Sequence, residues 1–247
     1  FFSSRRRHTR FRNVTGVQTC ALPISILASR YFPFDDGFVV KFFVGQSVEP
    51  WVISTLKRIK GVQIELMEEP EDNTAKLWRY LAFSDPQFDA VICRDTDARL
   101  SYRDRMAHSD WLLSGREFHI IKDHPIGHDY PISAGMFAGK TRELRWLKEK
   151  IQTTTFGDYY TTDQDFLAEH LYPIVVKDCL IHDPYYNTVV EGDSIRTEIP
   201  FDAPTPLSHI GAALEADDRF HFEVDRKAQF AFCGSEKYQY EHDRWGK

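Results

Sequence analysis

Short apolar runs alternate with stretches of helical spacing through most of the chain, and this alternation constrains the fold more than any other feature. Residues 38–44 (FVVKFFV) are an apolar run bounded by Gly37 and Gly45, the pattern of a buried strand. Residues 50–60 follow with helical spacing, Pro50 at the start and Gly61 just past the end. A second short strand is expected over 62–67, and an amphipathic helix over 74–83 (TAKLWRYLAF). Residues 88–93 (FDAVIC) make the most apolar strand candidate, and the polar RDTDAR follows directly. Further helices are expected over 103–114, 142–152 and 162–170, the last with Thr162 as N-cap. Strands are expected over 117–121 and 174–181, with a glycine-containing turn or short strand at 131–138. Beyond Asp183 the chain becomes loop-rich, with a last strand-like piece at 207–210. Such alternation is the signature of an α/β domain, a mostly parallel sheet flanked by helices. Ligands of such sheets bind beyond the carboxyl ends of the strands, where Asp95 and Asp97 sit.

The first 25 residues do not share this pattern. They carry five arginines, no acid and no hydrophobic period, and residues 14–24 (VTGVQTCALPI) resemble the in-frame translation of a sequencing adapter. They are set aside as an artefactual, disordered segment, which leaves 26–247 as one domain expected to lack its original N-terminus and first strand. Without the five arginines, 26 basic residues face 37 acidic ones, a net charge of −11. An acidic chain without a basic stripe argues against nucleic acid as the partner. A phosphate ligand remains compatible, since a metal or local groups neutralise a diphosphate. Outside that segment, Cys93, Cys179 and Cys233 are odd in number and widely spaced, and read as reduced thiols of a cytoplasmic protein. No run is apolar over 18 residues, so no membrane span is expected, although a peripheral membrane location stays compatible.

Asp95 and Asp97 offer a compact pair of hard oxygen ligands just past a buried strand. Mg²⁺ and Mn²⁺ favour such ligands and complete their shells with water and substrate phosphates. Two acids in a solvated turn are the alternative reading of the same three residues. The elements around them narrow the choice. FDAVICRDTDARL at 88–100, FHIIKDHP at 118–125, SAGM at 133–136, WRYL at 78–81 and TDQDFL at 162–167 occur in the order of, and together resemble, the motifs of bacterial GT-A-type glycosyltransferases near glycosyltransferase family eight. The resemblance covers residues 38–185; Ala98 stands where the family pattern has Ser, and Lys122 where it has Arg.

The resemblance implies a GT-A (Rossmann-like) fold and transfer of a hexose from a nucleotide-diphosphate sugar, a UDP-sugar first among them, to a glycan or lipid-linked acceptor. Retention of the anomeric configuration follows by the same analogy. Asp95 and Asp97 would hold Mn²⁺ or Mg²⁺ and the donor diphosphate, with Arg79 on the donor side or in a helix-surface ion pair. Ser133, Ala134 and Gly135 would bring backbone close to the sugar, or form an ordinary turn. Asp163 and Gln164 would sit at the transferred sugar, with helix capping as the plainer role for Asp163. His182 and His209 compete as a third metal ligand, each with a structural alternative. Asp123 and His124 would face the acceptor side, as would His128, with His124 a candidate base. Two other classes stay in view. One is an inactive remnant that still binds nucleotide sugar. The other is a haloacid-dehalogenase-type phosphatase with Asp95 as nucleophile, although Ala98-Arg99 and Cys93-Arg94 depart from that pattern.

Overall fold

The computed structural model describes residues 13–124, 128, 130–185, 188, 190–200 and 209–212, with backbone alone for 13–20. Strands and helices alternate as β1 (Val40–Val44), α2 (Pro50–Leu56), β2 (Val62–Leu66), a 3₁₀ helix (Asn73–Ser84) and β3 (Ala90–Ile92), all after α1 (Asn13–Tyr31). There follow α3 (Tyr102–Ser114), β4 (Phe118–Ile121), β5 (Phe137–Lys140), α4 (Leu147–Thr153) and α5 (Thr162–Phe166). A π turn (Leu167–Leu171), α6 (Tyr172–Val175), β6 (Cys179–His182), β7 (Ile195–Thr197) and two short 3₁₀ turns (Phe34–Asp36 and Thr141–Glu143) complete the described elements.

The fold is mixed α/β. β1 and β2 form a parallel pair, and a second sheet has the order β3-β5-β4-β6-β7. In that sheet β5 runs antiparallel to both its neighbours, while β4, β6 and β7 are parallel. The sheet is thus mixed, because 137–140, at the end of the stretch expected as a turn or short strand, pairs antiparallel with both neighbours.

Side chains alternate between two covered faces. Phe118, Ile120, Phe137, Cys93 and Ile181 pack with Leu77, Tyr80, Phe83, Leu147 and Phe166 of the 3₁₀ helix, α4 and α5. On the other face Ala138 and Leu180 meet Trp111 of α3, while Ile121 and Met136 meet Ala107 of the same helix. The 3₁₀ winding of Asn73–Ser84 stacks residues three apart, so Lys76 and Arg79 share one face. Ser101 and Asp104 start α3 with a capping box, and Gly115 ends it at φ 78°.

Three local expectations shift. Helix α1 crosses the expected boundary at residue 25, and Ala21 and Ile24 pack with Phe42, Val44, Val52 and Leu56. The expected strand over 174–181 is divided, its first residues finishing α6 and its last ones forming β6, with the polar Lys177-Asp178 pair between two apolar pieces too short to show a period. Helix α5 begins at Thr162 with Thr161 as its N-cap, and no side-chain hydrogen bond closes that end. Leu207 and Ser208 lie outside the described residues, and His209–Ile210 form part of a turn.

Candidate functional site

Strand β3 ends at Ile92, and the chain then carries Arg94, Asp95 and Asp97 beyond its carboxyl end. Arg94 is buried and fixes this turn: its guanidinium donates to the Asp104 carboxylate (2.8 and 2.9 Å), to the carbonyls of Cys93 and Gly135 (2.8 Å each), and to His108 Nε2 (2.7 Å). Gly135 is therefore tied to the residue before Asp95. The two backbones approach closely, because a Cβ at Gly135 would lie 2.8 Å from Asp95 Cγ and 3.1 Å from Asp95 N.

Asp95 accepts a 2.6 Å bond through Oδ1 from Arg79, whose Nε donates to Lys76 O at 2.9 Å. The Asp95 side chain is 46% exposed while that of Arg79 is 2% exposed, so a buried cation holds a carboxylate that still reaches solvent. Burial works to raise the Asp95 carboxyl, but Arg79 outweighs it and holds the group below its usual range. Asp163 lies in the same electrostatic neighbourhood. Burial raises its carboxyl, with Arg79 and Lys76 opposing and Asp95 reinforcing. Gln164 Oε1 accepts from Ala134 N at 3.2 Å, and Tyr80 OH donates to Ala134 O at 2.9 Å. Lys76 Nζ donates to Tyr160 O and sits 3.7 Å from the centre of the Tyr160 ring.

Six candidates thus meet at one place: Arg79, Asp95, Ala134, Gly135, Asp163 and Gln164. Asp97 is half-buried two residues beyond Asp95, and Ser133 is half-buried at the start of the turn. The other candidates divide. Asp123 is sealed, accepting 2.8 and 2.6 Å bonds from Arg103 and a 2.8 Å bond from Ile210 N, the ties of a structural ion pair. His124 packs against His209 and His128 at ring distances of 4.9 and 5.9 Å, and burial pushes it down to about 3. His209 belongs to this group, which touches the 133–136 turn where Ile210 packs with Met136. Pro125 and Gly127 lie outside the described residues.

His182 stands elsewhere, with one ring nitrogen against His119 Nε2 (2.7 Å) and the other against Asp110 (3.1 Å). Both nitrogens are engaged in that arrangement, which leaves neither for a metal. Among the described residues, no three His, Cys, Asp or Glu side chains are arranged to hold a metal ion by themselves. The fit for a hard cation therefore rests on the free Oδ2 of Asp95, on Asp97 and on ligand oxygens. Magnesium sites commonly use such a set, with one or two carboxylates and substrate phosphates.

Sequence reading missed Lys76, Tyr80, Arg94 and Asp104. Lys76 is signalled by its three-residue spacing from Arg79, but only the 3₁₀ winding makes that spacing a shared face. Arg94 carries a weaker signal, a charge directly after an apolar strand.

No family model, curated protein or solved structure matches this chain. Among the described residues, no helix is long and apolar enough to cross a membrane.

Proposed function

We propose that the chain carries the donor site of a metal-dependent GT-A-type glycosyltransferase, which moves a hexose from a nucleotide-diphosphate sugar to a glycan-type acceptor. The convergence of Arg79, Asp95, the Ala134-Gly135 turn, Asp163 and Gln164 beyond the carboxyl end of β3 is the observation that supports this reading most. Asp95 and Asp97 would hold Mn²⁺ or Mg²⁺, with Oδ2 of Asp95 as the available oxygen since Oδ1 is on Arg79. Such an ion, when bound, supplies positive charge against the charge that grows on the diphosphate as the glycosidic bond breaks.

The remaining roles fall to the chain itself. Arg79 fixes the Asp95 rotamer and sets a buried positive charge beside the phosphates. The close approach at Gly135 lets a flat sugar face lie against backbone. Gln164 holds the turn by accepting from Ala134 N, and Asp163 accepts hydroxyl protons of the sugar within a buried, positively lined corner. Lys76 adds a second cation there, its ammonium depressed by burial and supported by Asp163.

Incubating the chain with Mn²⁺ and a panel of nucleotide-diphosphate sugars tests this reading by release of nucleoside diphosphate. We expect hydrolysis of one donor, reduced at least about a hundredfold in Asp95→Asn and Asp97→Ala, as for loss of a main electrostatic contact in the transition state. Equal hydrolysis by the parent and Asp97→Ala would overturn the site. Rapid phosphate release from a phosphomonoester would favour the phosphatase. A rise in melting temperature with Mn²⁺ and UDP, without turnover of any donor, would identify a binding remnant.

A further inference from the structure

Two consecutive tyrosines differ from the aromatic residues on either side of them. Phe156 and Phe166 pack together in the main core, 5.4 Å between ring centres, while Tyr159 and Tyr160 between them remain 45% and 51% exposed. Rings left half in solvent contribute little apolar burial, yet both of these are held in place. The Tyr159 ring lies on Gly157, where a Cβ would come within 2.2 Å of it, and its hydroxyl is hydrogen-bonded to Asp165 and Thr162. Tyr160 is held twice by Lys76: the ammonium donates to its carbonyl oxygen and sits 3.7 Å from the centre of its ring. Asp158 accepts from Asn73 Nδ2 at 2.7 Å, so the loop is tied to the 3₁₀ helix at two points.

This loop leads directly into the candidate site. Tyr160 precedes Asp163 by three residues, a span of no more than about 11 Å. Lys76, against its ring, shares a face of the 3₁₀ helix with Arg79, which holds Asp95. A third ring comes from a different segment: Tyr130 lies in the electrostatic neighbourhood of Tyr159, and its carbonyl accepts from Lys122 Nζ at 2.8 Å. Tyr130 precedes Ala134 by four residues, no more than about 14 Å. The three tyrosines thus stand where segments 130–134 and 160–163 enter the corner formed by Ala134, Asp163 and Gln164. Positive charge is hidden at this end, since Lys76 is 4% exposed, whereas Asp158 and Asp165 are exposed beside the rings.

We propose that Tyr159 and Tyr160, with Tyr130 beside them, form the acceptor subsite, and that the acceptor ends in a neutral pyranose laid against the Tyr160 ring. A pyranose has a face of C–H groups and a rim of hydroxyls. The C–H face meets the negative face of the aromatic ring, while the hydroxyls donate to the Asp158 and Asp165 carboxylates. The same carboxylates repel an anionic headgroup such as a lipid phosphate. Both rings are fixed before the ligand arrives, so binding costs little side-chain freedom. That the sugar at these rings is an acceptor rests on the donor reading above; its recognition by the rings does not.

Saturation-transfer NMR on the full chain tests this, with Mg²⁺ and UDP present and the methyl β-pyranosides of glucose, galactose, mannose and N-acetylglucosamine as probes at millimolar concentration. At least one glycoside is expected to receive saturation mainly at the C–H protons of one face. Tyr160→Ala keeps the carbonyl that Lys76 holds but removes the ring, and weakens that binding about tenfold. Tyr160→Phe keeps the ring and binds as the parent does. The proposal is overturned if no glycoside binds, if Tyr160→Ala binds as well as the parent, or if Tyr160→Phe loses binding as the alanine variant does. Uridine, added without UDP, would also overturn it by binding in a way that depends on the Tyr160 ring, since the rings would then hold a nucleobase. Binding is read without turnover, so a chain that hydrolyses no donor can still pass this test, and one that hydrolyses a donor can fail it.

Discussion

Arg94 meets each of its five N–H groups with an acceptor, inside a wall of protein. Asp104 takes two of them through Oδ1, while Oδ2 accepts from the Ser101 amide and hydroxyl (3.2 and 3.1 Å). One carboxylate thus ties the start of α3 to the end of β3. Replacing Arg94 by Met leaves Asp104 as a buried charge without its partner and is expected to cost about 3–5 kcal/mol, measured by urea unfolding. Gly135→Ala acts on the neighbouring contact: its Cβ would press on Asp95, which Arg79 holds in place. We expect a loss of about 1–3 kcal/mol of stability and a larger loss of Mn²⁺–nucleotide affinity, read by calorimetry. Stability falling with affinity unchanged would separate this turn from the ligand. At this scale the sequence exposed the acids, the glycine and Arg79, all in motifs. Arg94 was hidden because the need for its charge comes from the carbonyls and Asp104 that surround it only after folding.

Among the elements, α3, β4 and β6 share a feature with a direction. Arg94 can only donate, so His108 Nε2 accepts, and its other nitrogen donates to His119 Nδ1 at 3.1 Å. His119 Nε2 then donates to His182 Nδ1 at 2.7 Å, and His182 Nε2 donates to Asp110 at 3.1 Å. Three neutral imidazoles are each fixed in one tautomer between a buried guanidinium and a carboxylate that is 40% exposed. Nitrogen-15 NMR should find the proton on Nδ1 of His108 and on Nε2 of His119 and His182. A reversed tautomer at any one of them would break the assigned direction. His119→Phe should keep the stacking on Trp111 (ring centres 5.6 Å apart) yet lose two hydrogen bonds, lowering stability by about 1–3 kcal/mol in thermal melts. The strand alternation of FHII and CLIH was readable, and it places His119 and His182 on one face. That α3 brings His108 to His119 and Asp110 to His182 was not, because each of these contacts joins residues on separate elements.

The whole molecule responds to acid through its buried imidazoles. Burial pushes His108, His119 and His128 well below the usual imidazole range, His182 down to about 4 and His124 to about 3. The unfolded chain binds these protons near pH 6.5, whereas the folded chain resists them. Their contribution is complete above about pH 6.5 and is lost as pH falls through that value toward about 4, roughly 1.4 kcal/mol per unit for each histidine. Asp123 and Asp163, raised by burial, act in the opposite sense but are fewer. We expect the melting temperature to fall steeply between about pH 6.5 and 5, with unfolding before about pH 4, since the total margin of such a domain is only about 5–15 kcal/mol. A melting temperature flat across that interval would show that these rings are not held neutral.

The sequence by itself determined the alternation of strands and helices, the helix over 103–114, and the run of polar residues beyond β3, because these depend on periodicity and on residues close in the chain. Tertiary structure decided the rest. It made β5 antiparallel, brought Lys76 and Arg79 onto the face that meets Asp95 and Asp163, and drew His182 into a chain with His119. Each of these outcomes is a pairing between residues distant in sequence. Such pairings are settled by which buried charges and amides find partners when the layers close, and no local pattern contains that information.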